Sequence, residues 1–195
     1  PRSRALVRRH PWDSAPAFTR LRRRTEDGLP EVYVAIRSHV GRDGGVWVKL
    51  RLPLRPNGQR GWVPRWALGR LHVVTTRFVV WRGSMRAVLR RKGRVIWRSR
   101  VGVGAPATPT PSGTFYVREL LRVPDPRGLY GPFAFGTSAY AAISDWPGGG
   151  VVGIHGTNAP QLIPGRPSHG CIRVPNRKIR RLARLMPIGT PVQIL

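Results

Sequence analysis

The chain of 195 residues has a single cysteine, Cys171, and no long hydrophobic run. One thiol cannot form an internal disulfide, so Cys171 is either an inert core residue or a reactive nucleophile. No apolar segment approaches the roughly 18 residues that a membrane-spanning helix needs. Glycine and proline are abundant, at 23 and 20 residues, which excludes a helical bundle or a coiled coil and favours a turn-rich β protein.

Negative charge is also scarce, since 8 acidic residues stand against 35 lysines and arginines and the formal net charge is +27. Such a balance predicts polyanionic surroundings, and nucleic acid, an anionic cell wall and a membrane surface all fit the charge alone. The hydrophobic content of 41% excludes intrinsic disorder. Because the chain begins with Pro1, we expect it to be part of a longer translation product.

The first third of the chain predicts an arm followed by a small β module. Residues 1–14 carry four arginines and two prolines without apolar periodicity, which predicts a flexible basic arm. Alternating apolar residues predict strands at 31–40 and 46–52, and short aromatic segments with turn signals follow them. We therefore expect a small β-barrel over residues 15–69.

Three short segments of this module resemble the bacterial SH3-like modules that precede cell-wall enzymes. They are Val46-Trp47-Val48-Lys49-Leu50 followed by Leu52-Pro53, Arg55-Pro56-Asn57-Gly58, and Gly61-Trp62-Val63-Pro64. The alternative is a β-hairpin extension of the larger domain without a binding role of its own.

Residues 70–195 predict a second, larger domain of mostly β structure. The predicted strands lie at 72–81, 85–91, 94–101, 114–121, 151–154 and 191–195. Residues 122–150 are rich in glycine, proline and aromatic residues, and so long a connection predicts a functional flap. Asn176 is predicted to cap a helix whose apolar positions Ile179, Leu182, Ala183 and Met186 follow helical spacing.

The chemistry is concentrated around the lone cysteine. The string Ser168-His169-Gly170-Cys171-Ile172-Arg173 follows His155-Gly156-Thr157, and Cys171 is 16 residues after His155. A thiol nucleophile needs a base within hydrogen-bond reach, and glycine beside it permits a turn whose N–H groups face a developing oxyanion. This pattern favours acyl transfer over a structural cysteine. A zinc site at His155, His169 and Cys171 is disfavoured because nearby carboxylates and a second cysteine are lacking.

These two strings resemble the signature of the L,D-transpeptidases of the YkuD family, which make peptidoglycan cross-links. Segments 101–104, 108–115 and 189–192 also follow the family's order. The resemblance implies a β-sandwich-like catalytic domain over residues 70–195, with a C-terminal helix and a flap over the site. Gly131-Pro132-Phe133 departs from the Met-Pro-aromatic pattern of many members, so the details of the flap are not carried over.

The resemblance also implies roles for individual residues. Cys171 would be the nucleophile, and His155 its base, held in its tautomer by a backbone carbonyl near Gly156. The N–H groups of Gly170 and Cys171 would form much of the oxyanion hole. His169 and Ser168 match the motif without a decided role, and Arg173 would bind a substrate carboxylate or hold the turn.

The implied activity is removal of the terminal D-amino acid from a stem tetrapeptide, through a thioester, and transfer of the acyl group to an amine in cell-wall cross-linking. L,D-carboxypeptidation with water as acceptor and a non-catalytic wall-binding protein are the alternatives. No cofactor and no metal are required, and a carbapenem is expected to acylate Cys171.

The expected partners are peptidoglycan stem peptides and anionic wall polymers rather than a specific nucleic acid, and the sequence predicts no oligomeric state. We expect an extracytoplasmic location, in the cell wall or periplasm, as a secreted protein or one anchored by a segment missing from this chain.

Overall fold

The computed structural model describes residues 1, 3–143 and 149–195. Within these ranges the chain is mostly β, as the composition predicted, with a single α-helix. It divides into two compact units, Pro1–Val73 and Val74–Leu195. No helix in the described ranges is long and apolar enough to cross a membrane.

The N-terminal unit is built on one antiparallel sheet of five strands. The strands are β1 (Leu6–Arg8), β2 (Ala17–Arg20), β3 (Val34–Val40), β4 (Val46–Arg51) and β5 (Arg60–Pro64). Their order is β2-β1-β5-β4-β3, so the sheet is open, with β2 and β3 at its edges. The predicted small β-barrel is therefore not confirmed, and neither is the SH3-like resemblance.

The first fourteen residues differ from the expected flexible arm. Strand β1 pairs with both β2 and β5, and Val7 is fully buried in the core of the unit. The Arg8 guanidinium donates to the carbonyl of Ala15 at 2.7 Å. A strand of three residues among arginines is too short to show a periodicity, so its place in the sheet depends on contacts with distant segments. Arg2, which belonged to the predicted arm, lies outside the described residues.

The C-terminal unit contains a sheet of ten strands and the helix. Its strands are β6 (Thr76–Trp81), β7 (Arg86–Arg91), β8 (Arg94–Arg100), β9 (Gly102–Gly104), β10 (Gly113–Arg122), β11 (Phe133–Tyr140), β12 (Val151–His155), β13 (Gly165–Ser168), β14 (Ile172–Arg173) and β15 (Pro191–Ile194), and the helix is α1 (Asn176–Leu185). The strand order is β13-β9-β14-β12-β11-β10-β15-β6-β7-β8.

Strand β10 joins two halves of this sheet. Its first residues, 113–116, pair with β15, and residues 117–122 pair with β11. Alternation along the strands places Phe78, Leu89 and Ile154 in one apolar core, which the buried side of α1 also enters through Leu182. The core therefore holds the β6-β7-β8 meander, the helix and the strands of the site together.

The predicted flap over residues 122–150 needs correction. Strand β11 lies inside this segment, between β10 and β12, and most of its residues are buried. Its alternating small and aromatic residues gave a weak strand signal beside the glycines and prolines that surround it. Residues 144–148 of the expected flap lie outside the described residues.

Candidate active site

Two neighbouring parallel strands bring the histidine and the cysteine together. In the β12–β14 pair, Ile154 lies opposite Ile172 and His155 lies opposite Arg173. Both isoleucines are fully buried in the core, so alternation turns His155 toward the other face of the sheet. Cys171 comes directly before β14, and its Sγ accepts a hydrogen bond from the Gly153 N–H at 3.3 Å. Residues 16 apart in sequence thus become neighbours.

The imidazole of His155 is held in one tautomer. Its Nδ1 lies 2.7 Å from the carbonyl oxygen of Gly156, and because a carbonyl can only accept, Nδ1 carries the proton. The ring also packs edge-on against Tyr130, with 4.9 Å between ring centroids. Nε2 is therefore left with its lone pair, as a general base requires.

Burial keeps both reactive groups neutral. Burial lowers the pKa of His155 to about 4. The hydrogen bond to the Gly156 carbonyl raises this pKa, and the positive charge of Arg173 lowers it further. Burial raises the pKa of the Cys171 thiol, although the Gly153 N–H and Arg173 oppose the shift. At neutral pH the resting pair is therefore a thiol beside a neutral imidazole.

Ser168 holds the turn that carries the cysteine. Its Oγ donates to the Cys171 carbonyl at 2.6 Å and accepts from the Gly170 N–H at 3.3 Å. Gly170 has a φ of +121°, and a Cβ there would lie 2.9 Å from the Cβ of Ala141. Glycine is thus needed at this position, and its N–H, expected in the oxyanion hole, is directed at Ser168 in this structure.

The segments 101–104 and 108–115 support the same turn. The carbonyl of Ser168 accepts a hydrogen bond from the Ala105 N–H at 2.8 Å. The Gly104 N–H donates to Thr110 Oγ1 at 2.8 Å, and a Cβ on Gly104 would collide with the backbone at Thr108. These distant stretches therefore lie behind the cysteine turn and fix its position.

Asn176 is a residue of the site whose role the sequence analysis missed. It was predicted to cap α1, but Pro175 occupies the cap position and the helix has no side-chain cap. The Asn176 Oδ1 instead accepts a hydrogen bond from the Thr157 N–H at 2.8 Å. It lies so close to Gly131 and Gly156 that neither could carry a Cβ. An asparagine at a helix start ordinarily indicates a cap, so the sequence held no signal for this tertiary contact.

A narrow cleft with a volume of about 20 Å³ opens at the pair. His155, Ser168, His169, Cys171 and Arg173 line it, together with Leu129, Tyr130, Ala141, Ile143, Gly150 and Val151. His169 is exposed, whereas Arg173 is half-buried, and the Arg173 Nε is buried without a hydrogen-bond partner among the described residues. Gly156 is buried, and its carbonyl oxygen accepts the hydrogen bond from His155 Nδ1. In the described part of the chain, no three His, Cys, Asp or Glu side chains are placed to hold a metal ion.

The sequence profile of the YkuD family, described as an L,D-transpeptidase catalytic domain, matches residues 75–194. The chain belongs to the YkuD family of L,D-transpeptidases. Among curated proteins, the L,D-transpeptidase YkuD of Bacillus subtilis is 34% identical over 112 residues, 57% of this chain and 61% of the relative. That of Bacillus licheniformis is 35% identical over 106 residues, 54% of this chain and 57% of the relative. The matches thus span about three-fifths of these YkuD relatives' lengths.

Solved L,D-transpeptidase structures share the fold. A mutant of the Enterococcus faecium L,D-transpeptidase matches with a TM-score of 0.50 and 25% identity, over 63% of this chain and 50% of that one. A Mycobacterium tuberculosis L,D-transpeptidase matches with a TM-score of 0.52 and 14% identity, over 77% of this chain and 90% of that one. The second likeness supports the YkuD fold alone.

Proposed function

We propose that the protein is a cysteine-dependent L,D-transpeptidase acting on peptidoglycan stem tetrapeptides. The observation that carries the proposal is the His155 imidazole, with Nδ1–H fixed on the Gly156 carbonyl, on the strand adjacent to Cys171. This arrangement supplies a positioned base for a thiol that is not ionised on its own.

In the first half-reaction, the Cys171 sulfur attacks the carbonyl carbon of the stem peptide while Nε2 of His155 takes the thiol proton. The new C–S bond forms, the C–N bond to the terminal D-residue breaks, and the imidazolium returns its proton to the leaving amine. In the second half-reaction an amine attacks the thioester carbon. His155 takes the amine proton, and the departing thiolate recovers that proton, so atoms and charges balance.

The oxyanion of the tetrahedral intermediate needs backbone donors beside Cys171. We assign this role first to the N–H of Cys171 itself, since the Gly170 N–H would have to leave Ser168 Oγ before it contributed. Arg173 is the candidate for binding a carboxylate of the stem peptide, because it lines the cleft with a buried Nε that has no partner among the described residues. We assign Ser168 to holding the turn, and His169 to the exposed rim of the cleft.

Incubation with a disaccharide tetrapeptide and mass analysis of the products tests the function. A cross-linked dimer is expected; a tripeptide product would instead identify the L,D-carboxypeptidase, with water as acceptor. No change in the substrate would leave the non-catalytic wall-binding alternative. Intact protein should also gain one carbapenem adduct in the wild type and none in Cys171→Ala, and an adduct persisting in that variant would exclude Cys171 as the nucleophile.

The family and the charge of the protein both bear on where it works and what it contacts. YkuD-family L,D-transpeptidases are cell-wall enzymes, and we propose that this protein works outside the cytoplasm in contact with peptidoglycan and anionic wall polymers. The net charge of +27 supports such partners, because polyanions attract a strongly basic surface.

A further inference from the structure

A second and larger groove lies in the C-terminal unit, apart from the catalytic pair. It has a volume of about 920 Å³ and lies between the start of β7, the end of β8 and the start of α1. We call it the basic groove and define it by the side chains that carry the inference: Trp81, Arg86, Arg98, Arg100, Arg177 and Lys178. Neither His155 nor Cys171 lines it.

Among the described residues, no carboxylate compensates the positive charge of the basic groove. Its described lining includes five lysines and arginines and no acidic residue. The sequence from 74 to 195 contains only three acidic residues, Glu119, Asp125 and Asp145. Glu119 is buried in β10, and Asp125 accepts a hydrogen bond from the Arg127 N–H within its own turn. The side chains of Arg86, Arg98 and Arg177 make no hydrogen bond within the described residues and remain available to a ligand.

Strand pairing concentrates this charge. Arg86 on β7 lies directly opposite Arg100 on β8, an arrangement of like charges that destabilises a sheet. If the arginines were confined to the edge strand β8, they could be explained as charges that stop this edge from pairing with another chain. That explanation does not cover Arg86, which is on an inner strand, or Arg177, which is on the helix. Three elements converge with the same charge, and an anion between them would relieve the repulsion.

We propose that the basic groove binds a linear wall polymer carrying repeated phosphodiester groups on polyol or sugar units. Guanidinium groups bind phosphate oxygens in a bidentate manner, and the spread of cations over three elements fits a chain of anions rather than a single ion. Trp81 offers an apolar face for the uncharged units between phosphates. Single-stranded nucleic acid binders instead use several aromatic platforms for successive bases, whereas the described lining of this groove has one.

The test compares two full-length variants of equal net charge. Arg86→Gln/Arg98→Gln/Arg177→Gln removes three cations of the basic groove, and Arg122→Gln/Arg180→Gln/Arg184→Gln removes three exposed cations outside its lining. By analogy with nucleic acids, each phosphate contact contributes about 0.7 to 0.9 units of log K at about 0.1 M salt. Three contacts correspond to about 10²-fold, and a less densely charged polymer should still lose at least tenfold in affinity.

Binding to purified poly(glycerol phosphate) is measured by titration calorimetry across a salt series, with a DNA oligonucleotide of equal charge as the comparison. We expect the groove variant to lose at least tenfold and the matched control to lose less than threefold. Equal losses would mean diffuse charge attraction, and no loss in either would mean another surface; both overturn the proposal. Tighter, groove-dependent binding of the oligonucleotide would also overturn it, in favour of a nucleic acid.

Single substitutions on one helix keep the test decisive if the triple variant folds poorly. Arg177→Glu lies in the groove, and Arg180→Glu lies one turn further along α1, outside the lining. The first should weaken polymer binding at least fivefold and the second less than twofold. Carbapenem acylation of Cys171 should stay within twofold of wild type in every variant, which separates failure of this proposal from failure of the proposed catalytic function.

Discussion

The neutral resting state of His155 and Cys171 predicts an unusual dependence of acylation on pH. The base must be unprotonated to accept the thiol proton, and burial places the pKa of His155 at about 4 rather than at its ordinary 6.5. A lowered pKa means that the imidazole stays neutral down to low pH, so activity is lost only below pH 5.

The magnitude follows from the fraction of neutral imidazole. With a pKa of about 4, this fraction falls by only about 10% between pH 8 and pH 5. With an ordinary histidine pKa, it would fall about 30-fold over the same interval. The two cases differ enough for a single pair of rate measurements to separate them.

The assay is the second-order rate of carbapenem acylation of Cys171, read from intact-protein mass after rapid quenching at pH 5, 6, 7 and 8. Reagent incubated alone at each pH corrects for its own decay. A fall of about 30-fold from pH 8 to pH 5 would refute a buried, neutral base.

A thiolate–imidazolium pair would also give a flat acylation profile, so a second reagent is needed. Iodoacetamide reacts with thiolates, and a thiol whose pKa is raised by burial should react faster with each increase in pH, with no plateau below pH 9. A plateau that begins near pH 5 would show a preformed ion pair and contradict the neutral resting state.

Three further predictions concern stability and the supporting residues. An unfolded His155 binds a proton below about pH 6.5, whereas the folded one binds it only near pH 4. The free energy of unfolding should therefore fall by about 2 kcal/mol between pH 7 and pH 4.5. Chemical denaturation at both pH values should show that His155→Gln lacks this part of the pH dependence, about 2 kcal/mol. Asn176→Leu should leave the Thr157 N–H unsatisfied, lower the unfolding free energy by about 1 to 3 kcal/mol and slow acylation. Asn176→Asp keeps an acceptor oxygen and should restore the rate. The matched control is Asn158→Leu at an exposed position, and equal effects of all three substitutions would contradict a positioning role for Asn176. His155→Ala should slow acylation by at least about 10²-fold and the exposed His169→Ala by less, and the reverse order in mass-based rates would exclude His155 as the base.

Local sequence patterns were enough to predict several strands and the chemistry of the candidate site. Alternating apolar residues located β3 and β4, because successive side chains along a strand point to opposite faces of the sheet. The unique cysteine, its glycine neighbours and a histidine 16 residues earlier indicated acyl transfer before any fold was known. The family match over residues 75–194 agrees with that chemistry.

Contacts between distant segments decided which weakly patterned segments became strands and whether the N-terminal sheet closed. Strand β11 gives only a weak strand signal among the surrounding glycines and prolines, and it becomes a strand because β10 and β12 supply hydrogen-bond partners on both sides. The short β1 is held in the same way by β2 and β5, and the N-terminal sheet remains open although short strands in sequence suggested closure. Closure depends on whether the edges meet, which no local pattern encodes.

The candidate site shows the same division. Its reactive residue types could be predicted from sequence, since thiol and imidazole chemistry belongs to single side chains. Their adjacency depends on the parallel pairing of β12 with β14, and the tautomer of His155 depends on a carbonyl orientation that only the folded backbone fixes. Asn176 has the sequence position expected of a helix cap, yet its amide oxygen accepts a hydrogen bond from the Thr157 N–H. This contact forms because the fold places the start of α1 beside the segment that follows His155. Sequence thus specified which groups are present, and tertiary packing determined their partners, burial and pKa values.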